Sequence, residues 1–299
     1  MSTILITGGA GSIGRELARV LTADGHLVRA LDLPSCDFAP LEALPNVEPM
    51  RADILDRDAL IAAADGVDAA LHLAALLPPQ SERDGAFTWR VNVEGTQRLI
   101  EALEANGRRP HLILSSSVCV YGDTWAKDPS PAKEPITVDH PCAPFDRYGE
   151  SKVAAESVTR GGVTRESALP YTILRISGVS VPAFLAPPEV WPFRAEQRIE
   201  FVARDDVVTA LVACVGNERA IGRTLHVAGG PTWRMAGAEY AARFNEVLGL
   251  DADDAAYCPG PCTFDTYDTV ECQAILGYQR TSFAAFLEQL QAAVDEALA

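Results

Sequence analysis

The sequence predicts an α/β fold, a doubly wound parallel sheet with a small C-terminal lobe. Short apolar or β-branched runs alternate with helical stretches along the first part of the chain, as in strands joined by crossover helices. A glycine-rich turn over residues 8–14 separates the first strand from the first helix. The chain has 299 residues, 48% of them hydrophobic, enough for one large α/β domain or a domain with a smaller lobe.

Charge and cysteine content narrow the class of protein. The formal net charge is −16 and the isoelectric point about 4.7, which argues against nucleic acid or an anionic membrane as partner. No run of about 18 apolar residues and no leader pattern is present, so a soluble protein is expected. Seven cysteines without a Cys-x-x-Cys pair are typical of free thiols in a reducing cytoplasm. Cys258 and Cys262 are interpreted as loop residues, and no metal site is expected.

The first strand and helix enclose a candidate phosphate-binding turn. Residues 2–7 are predicted to form a buried strand and residues 15–23 a helix. Gly8, Gly11 and Gly14 lie between them. Small residues at a helix N-terminus let the backbone approach a pyrophosphate, which the free N–H groups favour. The alternative is a glycine turn without a ligand.

Two aspartates follow the next two strands. Asp32 ends the strand predicted over residues 27–31 and has the spacing of an acid that binds the adenosine ribose hydroxyls. No arginine follows it directly, so NAD is favoured over NADP, whose 2′-phosphate would meet a carboxylate. Asp53 follows the strand predicted over residues 47–51. It is a candidate acceptor for the adenine amino group or, equally, the cap of a helix over residues 56–64.

Small residues follow the fourth strand, predicted over residues 69–73. Ala74 and Ala75 would let a cofactor cross the sheet edge. His72 is expected to pack or to form a hydrogen bond rather than to catalyse. Asn92, on a helix predicted over residues 87–106, is expected either to bridge a strand end and a water or to make a helix–sheet hydrogen bond.

The chemistry is expected after the fifth strand, over residues 111–116. Catalytic groups of open α/β sheets lie at the carboxyl ends of strands, which suits Ser117. Tyr148 and Lys152 are four positions apart and lie one turn apart on a helix face. The ammonium would lower the pKa of the phenol from its usual value of about 10. Ser117 would hold the substrate oxygen whose proton Tyr148 moves. A chance spacing is the alternative.

The rest of the chain predicts further strands and helices of a small lobe. Strands are predicted over residues 171–176, 201–203 and 225–228, and helices over residues 235–248 and 282–297. Asp206 is expected to cap a helix over residues 207–215.

These residues resemble the extended short-chain dehydrogenase/reductase family, the group of nucleotide-sugar epimerases and dehydratases. The match runs in register from Thr7 to about Pro182, a little over half of the chain, and is looser beyond, mainly over residues 202–207. The matching motifs are Thr-Gly-Gly-Ala-Gly-Ser-Ile-Gly, Asp32, Asp53-Ile54, His-Leu-Ala-Ala, Asn92 with Gly95-Thr96, Ser-Ser-Ser-Val-Cys-Val-Tyr-Gly, Tyr-Gly-Glu-Ser-Lys and Leu174-Arg175.

The resemblance implies a Rossmann sheet with bound NAD, mainly residues 1–176, and a small substrate lobe, mainly residues 177–299. It implies Tyr148 as acid/base, Lys152 as the residue that lowers its pKa and holds the nicotinamide ribose, and Ser117 as the substrate-orienting group. The cofactor residues are then Gly8, Gly11, Ser12, Ile13, Gly14, Asp32, Asp53, Ile54, Leu73, Ala74, Ala75, Asn92, Ser115, Tyr148 and Lys152. Substrate candidates are Ser116, Ser117, Tyr121, Arg175, Gly178 and Arg204. Related folds often pair through the helices that correspond to residues 87–106 and 148–160, so a homodimer is expected by analogy.

Departures from the family pattern narrow the activity. The dehydratases of the family carry Thr-Asp-Glu where this chain has Ser117-Val118-Cys119, so loss of water is not expected. Epimerases of sugar nucleotides usually carry an asparagine where Gly178 stands, and the stretch from Pro182 to Phe201 is shorter than theirs.

Three functions are compatible with these residues and motifs. The first is an NAD-dependent oxidoreductase that acts at a secondary alcohol or ketone of a sugar, sugar acid or similar small hydroxy compound. The second is a nucleotide-sugar 4-epimerase that keeps its NAD bound. The third is a non-catalytic dinucleotide-binding protein on the same fold.

Overall fold

The computed structural model of the protein describes residues 1–105, 107–130, 133–161 and 169–299. These residues form one seven-stranded sheet, with helices between its strands, and two smaller two-stranded sheets. Among them, no helix has the length and apolar character needed to cross a bilayer. The predicted end of a helix at Asn106 lies outside the described residues.

The first six predicted strands are present, with ends that differ from the prediction by one residue at most. The strands are β1 Thr3–Thr7, β2 Leu27–Asp32, β3 Val47–Arg51, β4 Ala69–His72, β5 His111–Ser117, β6 Tyr171–Ile176, β7 Val179–Ser180, β8 Arg198–Glu200, β9 Val202–Ala203, β10 Arg223–Val227 and β11 Arg234–Ala236. Buried β-branched and aliphatic residues, such as Ile4 and Ile6 of β1, explain why these segments form strands inside a sheet.

The large sheet has the strand order β3-β2-β1-β4-β5-β6-β10. β1 pairs in parallel with β2 on one side and with β4 on the other. The direction of winding therefore changes between β1 and β4, which is the topological switch point of a doubly wound sheet. Thr7 and His72 are register partners at the carboxyl ends of these two strands. Ligands of such sheets bind just outside this point.

The helices connect these strands. They are α1 Ser12–Ala23, α2 Ala39–Glu42, α3 Arg57–Ala64, α4 Gln80–Arg83, α5 Gly85–Trp89, α6 Gly95–Ala105, α7 Thr124–Lys127, α8 Arg147–Gly161, α9 Arg204–Cys214, α10 Gly237–Val247, α11 Val270–Leu276 and α12 Phe283–Leu298. A π-helical turn, Arg90–Glu94, separates α5 from α6. The sequence predicted one continuous α-helix here, because a single wide turn leaves no mark in the apolar periodicity.

Asp206 corrects a second prediction. It does not cap its helix, because α9 begins two residues earlier at Arg204. Its carboxylate instead accepts the N–H groups of Arg280 and Thr281, each at 3.1 Å, and the Thr281 hydroxyl at 2.9 Å. The sequence pattern missed this role because the partners lie 74 and 75 positions away.

The chain divides into two compact units, each with its own core. Unit 1 comprises Met1–Ser117, Asp146–Arg175 and Val208–Leu225, and unit 2 comprises Val118–Phe145, Ile176–Val207 and His226–Ala299. The core of unit 1 is mainly aliphatic, with Leu5 and Leu60 among its members. The core of unit 2 is rich in aromatic side chains, among them Trp191, Phe201 and Tyr240.

Candidate active site

The glycine turn after β1 leaves no room for side chains. Gly8 has a φ of +74°, and a Cβ at this position would lie 2.9 Å from the backbone nitrogen of Ala74. A Cβ on Gly14 would collide with the Gly8 carbonyl oxygen. Gly11 is the N-cap of α1, so no side chain caps the amides of the first helical turn. That turn contains Ser12, Ile13 and Gly14.

A cleft opens beside this turn in unit 1. Eight of the predicted cofactor residues line it, namely Gly8, Gly11, Asp32, Asp53, Ile54, Leu73, Ala74 and Ala75. The sequence did not single out the other lining residues, which are Leu31, Leu33, Ala52, Leu76, Leu77, Phe87 and Val91. All seven are apolar, and the sequence pattern does not distinguish an apolar side chain near a strand end from a core residue.

The carboxylate of Asp32 is held at the end of β2. Its Oδ2 accepts the N–H of Ala10 at 2.9 Å and its Oδ1 the N–H of Leu33 at 2.8 Å. The thiol of Cys36 lies 3.5 Å from Oδ1. Burial, and then the charge of Asp32, raise the pKa of this thiol. The two backbone bonds fix the direction in which Asp32 presents its negative charge to the cleft.

Asp53 lines the same cleft and does not cap α3. Its Oδ1 accepts the N–H of Leu55 at 2.9 Å. Asp56 is the N-cap and accepts the N–H groups of Asp58 and Ala59, each at 3.1 Å. The capping alternative considered for Asp53 is therefore wrong.

His72 is a buried, neutral hydrogen-bonding residue. Its Nδ1 lies 2.6 Å from Oγ1 of Thr7, and its Nε2 lies 2.9 Å from Oγ1 of Thr96. Burial, and to a smaller extent the charge of Lys152, lower its pKa to about 3. The ring joins two strand ends to a helix, in agreement with the prediction that His72 packs rather than catalyses.

Asn92 lies in the π-helical turn and is 2% exposed. Its Oδ1 accepts the N–H of Leu76 at 2.7 Å, and its Nδ2 donates to the Leu76 carbonyl at 3.1 Å. The same Nδ2 donates to Oγ of Ser151 at 2.9 Å, and that hydroxyl donates to the Tyr148 carbonyl at 2.7 Å. Asn92 therefore joins the segment after β4 to α8.

Tyr148 and Lys152 lie one turn apart on α8, and both are buried, at 8% and 4% exposure. The Lys152 ammonium lies 5.6 Å from the centroid of the Tyr148 ring. It also donates to the Ser115 carbonyl at 2.8 Å. Ser115 precedes Ser117 in β5, so unit 1 brings the strand end with the serines and the helix with Tyr148 together.

Ser116 and Arg175, two of the substrate candidates, are engaged by a buried glutamate. The carboxylate of Glu156, on α8, accepts the Ser116 hydroxyl at 2.6 Å. It also accepts Nε and NH2 of Arg175, at 2.9 and 2.8 Å. Burial alone would raise the pKa of Glu156, but the bonds and charge of Arg175 outweigh it and the pKa lies below its usual value. This network ties β5 and β6 to α8.

Ser117 belongs to unit 1, and the three remaining substrate candidates belong to unit 2. The hydroxyl of Tyr121 lies 2.5 Å from Nε2 of His226. A Cβ on Gly178 would lie 2.6 Å from the ring of Phe201, so this position accepts no side chain. Nε and NH2 of Arg204 donate to Oδ1 of Asp205 at 3.0 and 2.9 Å.

The cysteines are free, and Cys258 and Cys262 both lie in unit 2. Burial raises the pKa of Cys262 to about 12. The described part of the chain contains no group of three or more His, Cys, Asp or Glu side chains placed to hold a metal ion.

Residues 4–228 match the NAD dependent epimerase/dehydratase family. The match covers the whole of the glycine turn, the two strand-end aspartates, the serines of β5 and the tyrosine and lysine of α8. The chain therefore belongs to this family of NAD-dependent enzymes.

Dehydrogenases and epimerases are among the known proteins that are similar to the chain. It is 30% identical over 188 residues to D-erythronate dehydrogenase of Cupriavidus necator, covering 60% of this chain and 55% of that protein. It is 38% identical over 158 residues to UDP-glucose 4-epimerase of Mycolicibacterium smegmatis, covering 51% of this chain and 48% of that protein. The chain thus matches about half the length of these relatives.

A solved structure shows that the similarity of fold extends over the whole chain. A short-chain dehydrogenase/reductase superfamily protein from Agrobacterium tumefaciens with bound NAD superposes with a TM-score of 0.78. The two chains are 23% identical, and the superposition covers 99% of this chain and 98% of that one.

Proposed function

We propose that the protein is an NAD-dependent dehydrogenase. It oxidises a secondary alcohol of a sugar, a sugar acid or a similar small hydroxy compound, or reduces the corresponding ketone. The observation that carries this proposal is the buried Lys152 ammonium, 5.6 Å from the centroid of the Tyr148 ring, beside the strand that ends in Ser117. In this proposal unit 1 holds NAD and carries Ser117, Tyr148 and Lys152.

The cleft of unit 1 fits NAD in shape and charge. Gly8 and Gly11 line the cleft, and the amides of the first turn of α1, which no side chain caps, would bind the pyrophosphate. Asp32 would accept the adenosine ribose hydroxyls, and its charge disfavours the extra phosphate of NADP. Asp53 lines the cleft beside apolar side chains and would accept from the adenine amino group.

The proton is moved by the residues at the end of β5 and the start of α8. Tyr148, as phenolate, takes the proton of the substrate hydroxyl, while Ser117 donates a hydrogen bond to the same oxygen. The Lys152 charge stabilises the phenolate, and the Ser115 carbonyl holds the ammonium in position. Bound NAD supplies the acceptor for the hydride that leaves the carbinol carbon, and in the reverse direction Tyr148 returns the proton.

The proposal favours a small substrate over a nucleotide sugar. Sugar-nucleotide epimerases of the family usually carry an asparagine at the position of Gly178. In this chain the ring of Phe201 occupies the space that a side chain at position 178 would need. The similarity to a dehydrogenase of a sugar acid supports the same choice.

A nucleotide-sugar 4-epimerase is the second candidate, favoured by the 38% identity to a UDP-glucose 4-epimerase. The same tyrosine would then take and return the proton while NAD stays bound. Absorbance at the NADH band separates the two. The purified protein is mixed with NAD and with sugars, sugar acids or nucleotide sugars in turn. NADH that accumulates with one small substrate supports the dehydrogenase. Interconversion of a sugar nucleotide without net NADH would overturn it.

A further inference from the structure

The N-terminus of α8 leaves two backbone amides that its own cap does not satisfy. Asp146 precedes the helix, and its Oδ1 accepts the N–H of Gly149 at 2.6 Å. Its backbone carbonyl accepts the N–H of Glu150 at 3.0 Å. The N–H groups of Arg147 and Tyr148 remain, and amides at the start of a helix need partners from elsewhere.

Glu82 accepts both of these amides from 65 and 66 positions away in the chain. Its Oε2 lies 3.1 Å from the Arg147 nitrogen, and its Oε1 lies 3.1 Å from the Tyr148 nitrogen. A carboxylate at this end of a helix also interacts favourably with the helix dipole. The first residues of α8, including Tyr148, are therefore bound to a second part of unit 1 through one side chain.

Hydrogen bonds outside the first turn of α8 also orient the carboxylate of Glu82. The hydroxyl of Ser81, a fully buried residue, donates to its Oε1 at 2.9 Å. Oγ1 of Thr88 donates to the Ser81 carbonyl at 2.8 Å. NH1 of Arg147 donates to the Glu82 carbonyl at 3.0 Å. The backbone around Glu82 is thus fixed on both sides of the contact.

The segment that carries Glu82 also borders the cofactor cleft. Leu76 and Leu77 line the cleft and lie a few residues before Glu82. Asn92 anchors Leu76 through its N–H and carbonyl groups. The segment from Leu76 to Glu82 therefore runs from the wall of the cleft to the first turn of α8.

We propose that Glu82 is a positioning residue for Tyr148. Glu82 holds the Tyr148 backbone, and thereby the position of its phenol. This proposal rests on the proposed role of Tyr148 in proton transfer. Glu82 does not touch the reacting atoms in this proposal. Its removal lets the first turn of α8 fray, which displaces the phenol while the distant adenosine end of the cleft is unchanged.

Amide hydrogen exchange tests the positioning without any assay of activity. The Arg147 and Tyr148 amides are compared in the wild type, Glu82→Ala, Glu82→Gln and Glu150→Ala. We expect about tenfold faster exchange of these two amides in Glu82→Ala. Glu82→Gln keeps one acceptor oxygen and lies between the wild type and Glu82→Ala. Glu150→Ala removes a charge from the same helix end but none of these acceptors, and keeps wild-type exchange. Wild-type exchange in Glu82→Ala overturns the proposal.

Steady-state kinetics tests the consequence for Tyr148. We expect kcat to fall about tenfold in Glu82→Ala with the KM for NAD within about twofold, and Glu82→Gln to recover part of kcat. A rise in KM for NAD with unchanged kcat would contradict the positioning role. If no substrate is found for the wild type, the proposed function fails, but the exchange experiment still decides whether Glu82 holds Tyr148.

Discussion

The Lys152 ammonium lies close to the Tyr148 ring and donates to the Ser115 carbonyl, and this is what separates Tyr148 from an ordinary helix tyrosine. A tyrosine and a lysine at this spacing are common on helices, and the sequence alone could not tell whether the pair is buried. The structure shows both side chains buried, with the ammonium fixed by the Ser115 carbonyl. A fixed buried cation beside a phenol is the condition under which a tyrosine can act as a base near neutral pH.

Asp32 provides a test of cofactor choice. We expect Asp32→Asn to raise the KM for NAD about tenfold, because a charge-assisted bond to the ribose becomes a neutral one. The preference for NAD over NADP should fall as well, since the carboxylate no longer repels a phosphate. Asp37→Asn, on the exposed loop after β2, serves as control and should keep the wild-type KM. An unchanged KM and unchanged preference in Asp32→Asn would contradict the assignment.

His72 makes stability depend on pH. Its pKa in the folded protein is about 3, because it is buried, and about 6.5 in the unfolded chain. The unfolded state therefore binds the extra proton first as the pH falls. Stability is full above pH about 6.5 and is lost towards the folded pKa, by up to about 3 kcal/mol at pH 4.

Urea unfolding at several pH values measures this loss. His72→Gln cannot be protonated, so its free energy of unfolding should fall less between pH 7 and pH 4 than that of the wild type. Equal pH dependence of the two proteins would show that His72 is not the group responsible. His111, whose burial lowers its pKa to about 4, should contribute in the same direction and leave part of the slope in the variant.

At the scale of elements, local sequence patterns account for the regular elements but not for an irregular turn or for contacts between distant segments. Local patterns predicted the strands of the large sheet and the glycine turn because alternation, β-branching and glycine spacing act within a few residues. The π-helical turn around Asn92, the Asp206 contacts and the bond from Glu82 to α8 were not predicted. The contacts of Glu82 and Asp206 depend on partners that the fold brings close from 65 to 75 positions away, and no local pattern records them.

A variant of Asn92 measures how much the bonds from the π-helical turn to Leu76 contribute to stability. We expect Asn92→Ala to lower the free energy of unfolding by about 1–3 kcal/mol, because the amide and carbonyl of Leu76 lose their buried partner. Chemical denaturation measures it. Gln97→Ala, on an exposed face of α6, is the control and should change stability by less than about 0.5 kcal/mol. A neutral effect of Asn92→Ala would mean that water replaces these bonds without cost.

At the scale of the whole molecule, the chain has two units whose cores differ in composition and which carry different site residues. Unit 1 carries every predicted catalytic residue and the cofactor cleft, and unit 2 carries Tyr121, Gly178 and Arg204. The sequence indicated the sheet strand by strand because each strand is a continuous local pattern. It said little about unit 2, whose short strands and aromatic core are assembled from two separate segments. A cytoplasmic location and a homodimer stay predictions.

The direct test of the central claim is the turnover of Tyr148→Phe with the substrate that yields NADH. The account predicts a loss of at least about a hundredfold in kcat, because the proton has no acceptor, while NAD still binds. Tyr171→Phe, a partly buried tyrosine in the same unit, should keep wild-type turnover. Wild-type turnover in Tyr148→Phe would show that the proton leaves by another group and would contradict the account.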